Sequence, residues 1–177
     1  TCFAAWKPFG GRPVERRKVV DSTNLRLLEE GGSEGRCLVA TQQMEGRGQR
    51  GRKWLTREGD FAGSWILPTE GVDIQPGKMQ LDAAIAVADT IACSLGTPLP
   101  SSHWTCSAAL IDAGIEVRWP NDVWIGEGKL AGVLVEGKQQ RDEHRVVLGI
   151  GLNIDDSTHS ELQMAALSEL QESPVES

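Results

Sequence analysis

The hydrophobic and polar positions near the N-terminus predict a strand and a short helix after an unpatterned lead-in. Residues 1–15 contain glycine and proline breaks and show no period, so we expect an extended arm there and a single domain over residues 16–177 with a polar C-terminal tail. Residues 18–20 predict a strand. Asp21 or Ser22 is a suitable N-cap for a leucine-bearing helix that ends at a Gly-Gly pair.

Two further strands and a longer helix follow in the pattern. Strands are predicted over residues 36–43 and 63–68, on either side of a segment rich in glycine and arginine. A helix is predicted from Lys78 to Leu95, because apolar side chains recur there every three or four residues. Its main apolar face contains Leu81, Ile85, Ala88, Ala92 and Leu95. Val87 and Ile91 add a second apolar face, which predicts burial against a sheet.

The C-terminal half predicts strands joined by short turns. A short helix is expected between Cys106 and Gly114, and a weak one between Ser160 and Leu170. The strands are predicted over residues 116–119, 123–125, 129–136 and 145–154. The last strand alternates: its even-numbered positions from 148 to 154 are apolar, whereas Gly149, Gly151 and Asn153 lie on the other face. One face of this strand is therefore almost free of side chains.

Composition and charge narrow the class of protein. The chain has 177 residues, 40% of them hydrophobic, and no apolar run long enough for a membrane span, so we expect one soluble, cytoplasmic domain with no membrane partner. The four cysteines are widely spaced and predict reduced packing residues. Net charge is −7, yet the segment from Gly46 to Arg57 holds five of the 18 basic residues and no acidic one. A local anion site is therefore predicted within an acidic protein.

The glycine- and arginine-rich segment is the first candidate site. Gly46, Gly48 and Gly51 would allow positive φ and turn backbone N–H groups toward an anion, and the arginines would supply charged donors for phosphate. Trp54 offers a flat surface for stacking a base. The segment matches neither a Walker A loop nor the dinucleotide fingerprint. A solvated basic loop and an RNA-binding segment remain alternatives, although the acidic remainder of the chain disfavours a long polyanion.

Two other groups of residues carry candidate chemistry. Pro120 holds the turn that presents Asn121 and Asp122, and Lys129 opens an apolar strand across a predicted hairpin. This pattern indicates a lysine that delivers a charge to a buried anion, or simply a turn and a solvated strand end. The side-chain-free face around Gly151 indicates close approach of a ligand, or a bulge or tight packing. Ser22, Thr23 and Asn24 by themselves are ordinary helix capping residues.

In this order and spacing, the segments resemble the catalytic domain of biotin protein ligases. The resemblance runs from about Val19 to Ile154 and rests on Ser22-Thr23-Asn24, on Gln43 with the segment 46–54, on 118–122, on 129–136 and on 149–153. It implies an α/β (α+β) fold like that of class II synthetases, with a mixed sheet and helices on one side. It also implies a two-step reaction in which biotin and MgATP form biotinyl-AMP, after which a lysine of a biotin carboxyl carrier domain takes the acyl group.

The resemblance also assigns roles to individual residues. Lys129, Arg47 and Asp122 would be catalytic, with Asp122 also serving Mg²⁺. Biotin would contact Ser22, Thr23, Asn24, Gln43, Gly46, Arg47, Lys129, Gly132, Leu134 and Gly149. The nucleotide would contact Arg47, Gly48, Gln49, Arg50, Gly51, Arg52, Trp54, Asn121, Lys129, Gly151 and Asn153. Trp54 would stack on adenine and Asn153 would bond its edge.

The chain departs from the family pattern at several points. Gln49 replaces a second arginine and Glu45 replaces a small residue, so we expect weaker retention of biotinyl-AMP. No DNA-binding domain is expected before the core and no small barrel after it, so a repressor role and nucleic-acid partners other than ATP are not expected. The alternatives are a catalytically weak homologue that binds biotin or a related acid, and a lipoate or octanoate ligase. The protein would be a monomer or a homodimer.

Overall fold

The computed structural model describes residues 14–71, 73–95, 110, 114–140, 143–154 and 164–168. Seven strands and two helices occur in these ranges. The strands are β1 (Val14–Val20), β2 (Cys37–Gln43), β3 (Phe61–Leu67), β4 (Ile115–Arg118), β5 (Asp122–Ile125), β6 (Gly128–Gln140) and β7 (Glu143–Leu152). The helices are α1 (Thr23–Glu30) and α2 (Pro76–Ser94), with one 3-10 turn at Gln49–Gly51.

All seven strands form one mixed sheet in the order β1-β2-β3-β7-β6-β5-β4. β1 and β2 are parallel, and every other neighbouring pair is antiparallel. Sequence analysis predicts the α1 boundaries: Ser22 is the N-cap, with its side chain accepting a bond from the Leu25 N–H, and Gly31 at φ 71° ends the helix. The mixed sheet with packed helices is confirmed.

The two helices pack on opposite faces of the sheet. Leu27 and Leu28 of α1 pack with Val147 of β7, on the face that also carries Gly149. α2 packs on the other face, where Val133 and Ile150 lie side by side. The expected placement of the helices on one side is therefore wrong. The physical reason is that both faces of the sheet carry apolar side chains that pack in a core, Leu38, Ile66 and Val147 on one and Val133 and Ile150 on the other, so each face packs against its own helix.

Helix α2 buries a different face from the one that its leucine and isoleucine spacing predicts. Ala84 and Ala88 are fully buried, together with Ile91 and Ala92, whereas Ile85 is exposed. Alanine side chains are small, so they let the helix backbone approach the sheet closely. This close packing sets the rotation of α2 about its axis and leaves the larger Ile85 at the periphery. The prediction of a helix packed against a sheet is confirmed. The predicted main face is confirmed at Ala88 and Ala92 and is wrong at Ile85.

Several smaller expectations differ from the structure. β1 begins at Val14, two residues before the predicted start of the domain. The helix predicted over residues 160–170 is wrong at Met164, because that residue forms a parallel backbone bridge with Lys129 of β6. Residues 167–168 are helical, and residues 160–163, 169 and 170 lie outside the described residues. The short helix predicted over 106–114 lies mostly outside the described residues.

The two described cysteines have different environments. Cys37 is a buried free thiol, and burial raises its pKa to about 11. Cys93 is also a free thiol but is exposed, so it is not the packing residue that the sequence predicts. Cys2 and Cys106 lie outside the described residues. No helix within the described ranges is long and apolar enough to cross a bilayer.

Candidate active site

A row of small residues crosses the α1 face of the sheet. The register of strands β2, β3, β7 and β6 aligns Ala40, Ala62, Gly151 and Gly132, and Asp122 of β5 stands at the end of the row. The indole ring of Trp54 lies on the two glycines: a Cβ added at Gly151 would be 2.3 Å from the ring, and one at Gly132 would be 2.8 Å from it. The bare face predicted from β7 is thus a seat for Trp54. The adenine-stacking role of Trp54 stays a prediction.

A polar network occupies the other end of this face. Gln43 Oε1 accepts a hydrogen bond from the Thr23 N–H at 2.8 Å and lies 3.0 Å from Thr23 Oγ1, while its Nε2 donates to Thr56 Oγ1 at 2.9 Å. Asn24 Nδ2 donates to Glu136 Oε2 at 2.9 Å. A Cβ at Gly149 would be 2.2 Å from Asn24 Oδ1, so glycine is needed here to admit the Asn24 amide. The Ser22-Thr23-Asn24 cluster is therefore more than helix capping.

Two residues of this network escaped the sequence analysis. Ser64 of β3 is fully buried, with Oγ 2.7 Å from Thr23 Oγ1 and 2.6 Å from Asn24 Oδ1. Glu136 of β6 accepts from Asn24 through one carboxylate oxygen and pairs with Arg47 through the other, at 2.9 Å. The sequence signal for Ser64 is a serine inside the otherwise apolar strand β3. The signal for Glu136 is a glutamate that ends the apolar run of β6.

The Gly/Arg segment folds over the edge of this network with a geometry that differs from the predicted anion nest. Positive φ occurs at Arg50 and Gly51, not at the other two glycines. Gly46 is needed because a Cβ there would be 2.2 Å from the Trp54 carbonyl oxygen. The Gly48 N–H donates to the Arg52 carbonyl at 2.8 Å. This amide closes the loop on itself, so backbone hydrogen bonding within the loop overrides the predicted inward turn.

The loop places cations around two connected spaces. The inner pocket has a volume of about 110 Å³ and the outer cleft about 820 Å³. Within the described residues, Arg50, Arg52 and Lys53 have no carboxylate at ion-pair distance, whereas Arg47 is held by Glu136. Gln49 donates to Gln80 Oε1 on α2 at 2.8 Å. Whether Gln49 weakens retention of an adenylate stays a prediction.

Lys129 and Asp122 form an ion pair at the end of the glycine row. Lys129 Nζ lies 2.7 Å from Asp122 Oδ1 and 5.3 Å from the centroid of the Trp54 ring. Both side chains are largely buried, at 22% and 15% exposure. Asn121 fixes the adjoining turn, because its Nδ2 donates to the Val133 carbonyl at 2.8 Å. The lysine opposite an aspartate across the hairpin is thus present as the sequence predicts.

Most of the predicted site residues come together. The inner pocket is lined by Ser22, Thr23, Asn24, Gln43, Arg47, Gly48, Gln49, Arg52, Trp54, Asn121, Lys129, Gly132, Leu134, Gly149 and Gly151. The outer cleft is lined by Gly46, Arg50 and Gly51, among others. Asp122 does not line either space and contacts the inner pocket only through its ion pair with Lys129.

Asn153 is a second predicted site residue, after Asp122, that lines neither space. Its side chain is fully buried, and Nδ2 donates to the carbonyls of Lys129 at 2.8 Å and Ala165 at 3.3 Å. The segment 164–168 covers it by pairing with β6 and with the chain after β7. The amide donor thus joins two backbone segments in this arrangement, and the contact of Asn153 with an adenine edge stays a prediction.

Comparison with known proteins agrees with this arrangement. The model of the biotin/lipoate A/B protein ligase family matches residues 17–153. The chain is 32% identical over 137 residues to a biotin--[acetyl-CoA-carboxylase] ligase of Paracoccus denitrificans, covering 76% of this chain and 51% of that protein. A ligase of the same name from Mycobacterium tuberculosis is 34% identical over 151 residues, covering 82% and 50%.

Solved structures show the same likeness. The structure of the Aquifex aeolicus biotin protein ligase in complex with biotin and ATP is 31% identical, with a TM-score of 0.64 over 89% of this chain and 60% of that one. The chain spans about half the length of the curated relatives it matches. Since the family model matches residues 17–153, which is most of the chain, this chain belongs to the biotin/lipoate A/B protein ligase family.

Proposed function

We propose that the protein is an ATP-dependent biotin protein ligase, which forms biotinyl-5′-AMP and transfers biotin to a lysine of a biotin carboxyl carrier domain in a biotin-dependent carboxylase. The observation that carries the proposal is Lys129, whose ammonium group lines the inner pocket and is held by Asp122 at 2.7 Å. The relatives named as biotin ligases, and the related structure with biotin and ATP, support the choice of acid and nucleotide.

The first step joins two anions, so positive charge must be fixed where they meet. A biotin carboxylate oxygen attacks the α-phosphorus of ATP, and the bond from that phosphorus to the bridging oxygen breaks to release pyrophosphate. Lys129 would stabilise the negative charge that increases on the α-phosphate. Asp122 keeps the ammonium group in place before the substrates arrive, so little reorganisation is needed during the reaction.

The triphosphate needs further cations, and the loop provides them. Arg52 and Lys53 line both spaces, and Arg50 lines the outer cleft, so they could reach the β- and γ-phosphates. Arg47 is expected to leave Glu136 for the phosphates when they bind. Mg²⁺ would enter with ATP, since the described residues contain no cluster of three metal-ligating side chains. Asp122 would supply a single carboxylate for the ion, and it would do so from behind Lys129 because it lines neither space itself.

The second step transfers the acyl group to the acceptor. The neutral amine of the acceptor lysine attacks the carbonyl carbon of biotinyl-AMP, an amide bond forms, and AMP leaves with the electrons of the acyl-phosphate bond. The folded loop over the inner pocket would keep water from the mixed anhydride until the acceptor arrives. A cytoplasmic location and a carboxylase partner follow from the proposal.

Mass spectrometry of the purified protein with biotin, ATP and Mg²⁺ tests the proposal directly. We expect biotinyl-AMP and pyrophosphate, and no adenylate in parallel tubes with lipoate or octanoate. An octanoyl or lipoyl adenylate in place of biotinyl-AMP would assign another acid to the same fold. Tight biotin binding without any adenylate would support the second candidate, a binding homologue, which the Arg47–Glu136 ion pair favours because it occupies a cation needed for phosphate.

A further inference from the structure

Ser64 lies beneath the pocket, where the hydrogen-bond network has more oxygen contacts than protons. It does not line the inner pocket, yet its hydroxyl contacts two residues that do, Thr23 and Asn24. Thr23 Oγ1 in turn lies 3.0 Å from Gln43 Oε1. Three oxygen–oxygen contacts therefore connect four residues in a line from Asn24 to Gln43.

The orientation of the Asn24 amide is fixed by its other partners. Its Nδ2 faces the Glu136 carboxylate at 2.9 Å and the Leu134 carbonyl at 3.4 Å, and both of these groups only accept. The amide oxygen must therefore face Ser64, at 2.6 Å. Because an amide oxygen also only accepts, the single proton of the Ser64 hydroxyl is donated to Asn24.

The proton of Thr23 then has two possible acceptors. It can be donated to Ser64 Oγ, 2.7 Å away, or to Gln43 Oε1, 3.0 Å away. Gln43 Oε1 already accepts from the Thr23 N–H, and its Nε2 is directed at Thr56 Oγ1, so the carboxamide cannot turn to help. The shorter contact favours donation to Ser64. Thr23 Oγ1 and Gln43 Oε1 are left as two neighbouring acceptors without a proton between them.

We propose that Ser64 is a specificity-determining positioning residue, which draws the Thr23 proton inward so that Thr23 and Gln43 present a pair of acceptors to the ligand. Both acceptor residues line the inner pocket. A ligand ring that donates an N–H satisfies the pair, whereas a purely hydrocarbon or dithiolane end leaves it unsatisfied in a partly buried site. This inference rests on the proposed function and extends it, because it explains selection of a ureido acid over lipoate or octanoate.

The test is the substitution Ser64→Ala, with steady-state adenylation measured against biotin concentration. Without Ser64, the Thr23 proton turns to Gln43 and closes the acceptor pair. We expect the KM for biotin to rise about tenfold, the effect of one lost hydrogen bond to the ligand, while kcat at saturating biotin stays within about twofold. The inhibition constant of octanoate against biotin is expected not to rise, since octanoate uses no donor there.

Two further variants separate positioning from folding. Ser64→Cys keeps a weak donor and acceptor and should recover part of the biotin affinity. Cys37→Ala removes another small buried side chain of the same sheet, outside the network, and should leave the KM for biotin unchanged. An unchanged KM in Ser64→Ala, or equal weakening of biotin and octanoate, would overturn the inference alone. A wild-type protein that forms no biotinyl-AMP would overturn the proposed function, and the inference with it.

Discussion

Two clusters of basic residues in this protein have opposite surroundings. The edge cluster joins β1, α1 and β2 and consists of Glu15, Arg17, Glu30 and Arg36. The loop cluster lies at the candidate active site and consists of Arg50, Arg52 and Lys53. In the edge cluster each arginine contacts two carboxylates. In the loop cluster, within the described residues, no cation has a carboxylate partner.

This difference in carboxylate partners distinguishes arginines that stabilise the fold from cations that the proposed function uses. Arg17 lies 2.6 Å from Glu30, and Arg36 lies 2.7 Å from both Glu15 and Glu30. The carboxylates thus hold a cation of β1 and the cation that precedes β2 beside helix α1. The same contact with Arg17 lowers the pKa of Glu30 to about 2. The loop cations have no carboxylate partner among the described residues, so under the proposed function they are available to an incoming anion. Pairing, rather than residue type, decides which basic segment can bind phosphate.

Lys129 does not fit this distinction between paired and unpaired cations, because it forms an ion pair with Asp122 and also lines the inner pocket. Replacing it by Met keeps the length of the side chain but removes the charge. We expect biotin-dependent exchange of pyrophosphate into ATP to fall at least about a hundredfold, as when a preorganised charge is removed from a transition state. Lys138→Met, at an exposed position of the same strand, is the matched control and should keep full activity. Retention of more than a tenth of the activity by Lys129→Met would remove Lys129 from catalysis.

Arg52 and Lys53 of the loop cluster can be neutralised without breaking an ion pair with any carboxylate of the described residues. In the double variant Arg52→Gln with Lys53→Gln, we expect the KM for ATP to rise about tenfold, because two charge-assisted contacts to phosphate are lost. The midpoint of thermal unfolding should not change, since neither cation has a carboxylate partner in the described structure. The matched control is Arg16→Gln with Lys18→Gln, two exposed cations of β1. An unchanged KM for ATP in the loop variant would contradict the role of the loop cluster.

The two clusters also differ in what the sequence could reveal. The loop cluster is visible as a run of glycine and arginine without acidic residues, and its position at the pocket follows from a local motif. The edge cluster joins residues far apart in the chain, and Glu15 falls in the range expected to be an unpatterned arm. Long-range ion pairs have no periodic pattern, so they become visible only when strand register is known.

In the candidate site, too, contacts between distant parts of the chain are not visible in the sequence pattern. Strand alternation placed Gly149 and Gly151 on a bare face, and the structure confirms that face. The alternation of residues in β7 does not show what packs against these glycines. In the structure, Asn24 approaches Gly149 and Trp54 approaches Gly151, whereas a ligand is one of the expectations from the sequence. Asn153 is buried by the segment 164–168, a contact between two parts of the chain that carry no shared motif. Periodicity gives the face of a residue but not its tertiary partner.

The smallest expected effect tests whether the edge cluster is structural, through the pH dependence of stability. The ordinary pKa of the Glu30 carboxyl is 4.5, and in the folded protein the neighbouring arginines lower it to about 2. As pH falls, the unfolded chain binds the proton first, so the stabilisation is complete above about pH 4.5 and is lost as pH falls through about 2. Glu30→Gln should therefore be less stable than the wild type by about 1 kcal/mol at neutral pH, as for a partly exposed ion pair.

Urea unfolding of the wild type and of Glu30→Gln across this pH range measures the gap between them. The gap should be constant at neutral pH, narrow below about pH 4.5 and disappear as pH falls through about 2, where the Glu30 carboxyl becomes protonated in the folded protein as well. Glu29→Gln, on the same helix but outside the edge cluster, is the matched control and should show a gap near zero throughout. Adenylation by Glu30→Gln at neutral pH should equal that of the wild type. A difference in unfolding free energy that stays constant below pH 2 would mean that the edge cluster stabilises the fold through packing and not through charge. The edge cluster and the loop cluster would then differ only in the exposure of their side chains.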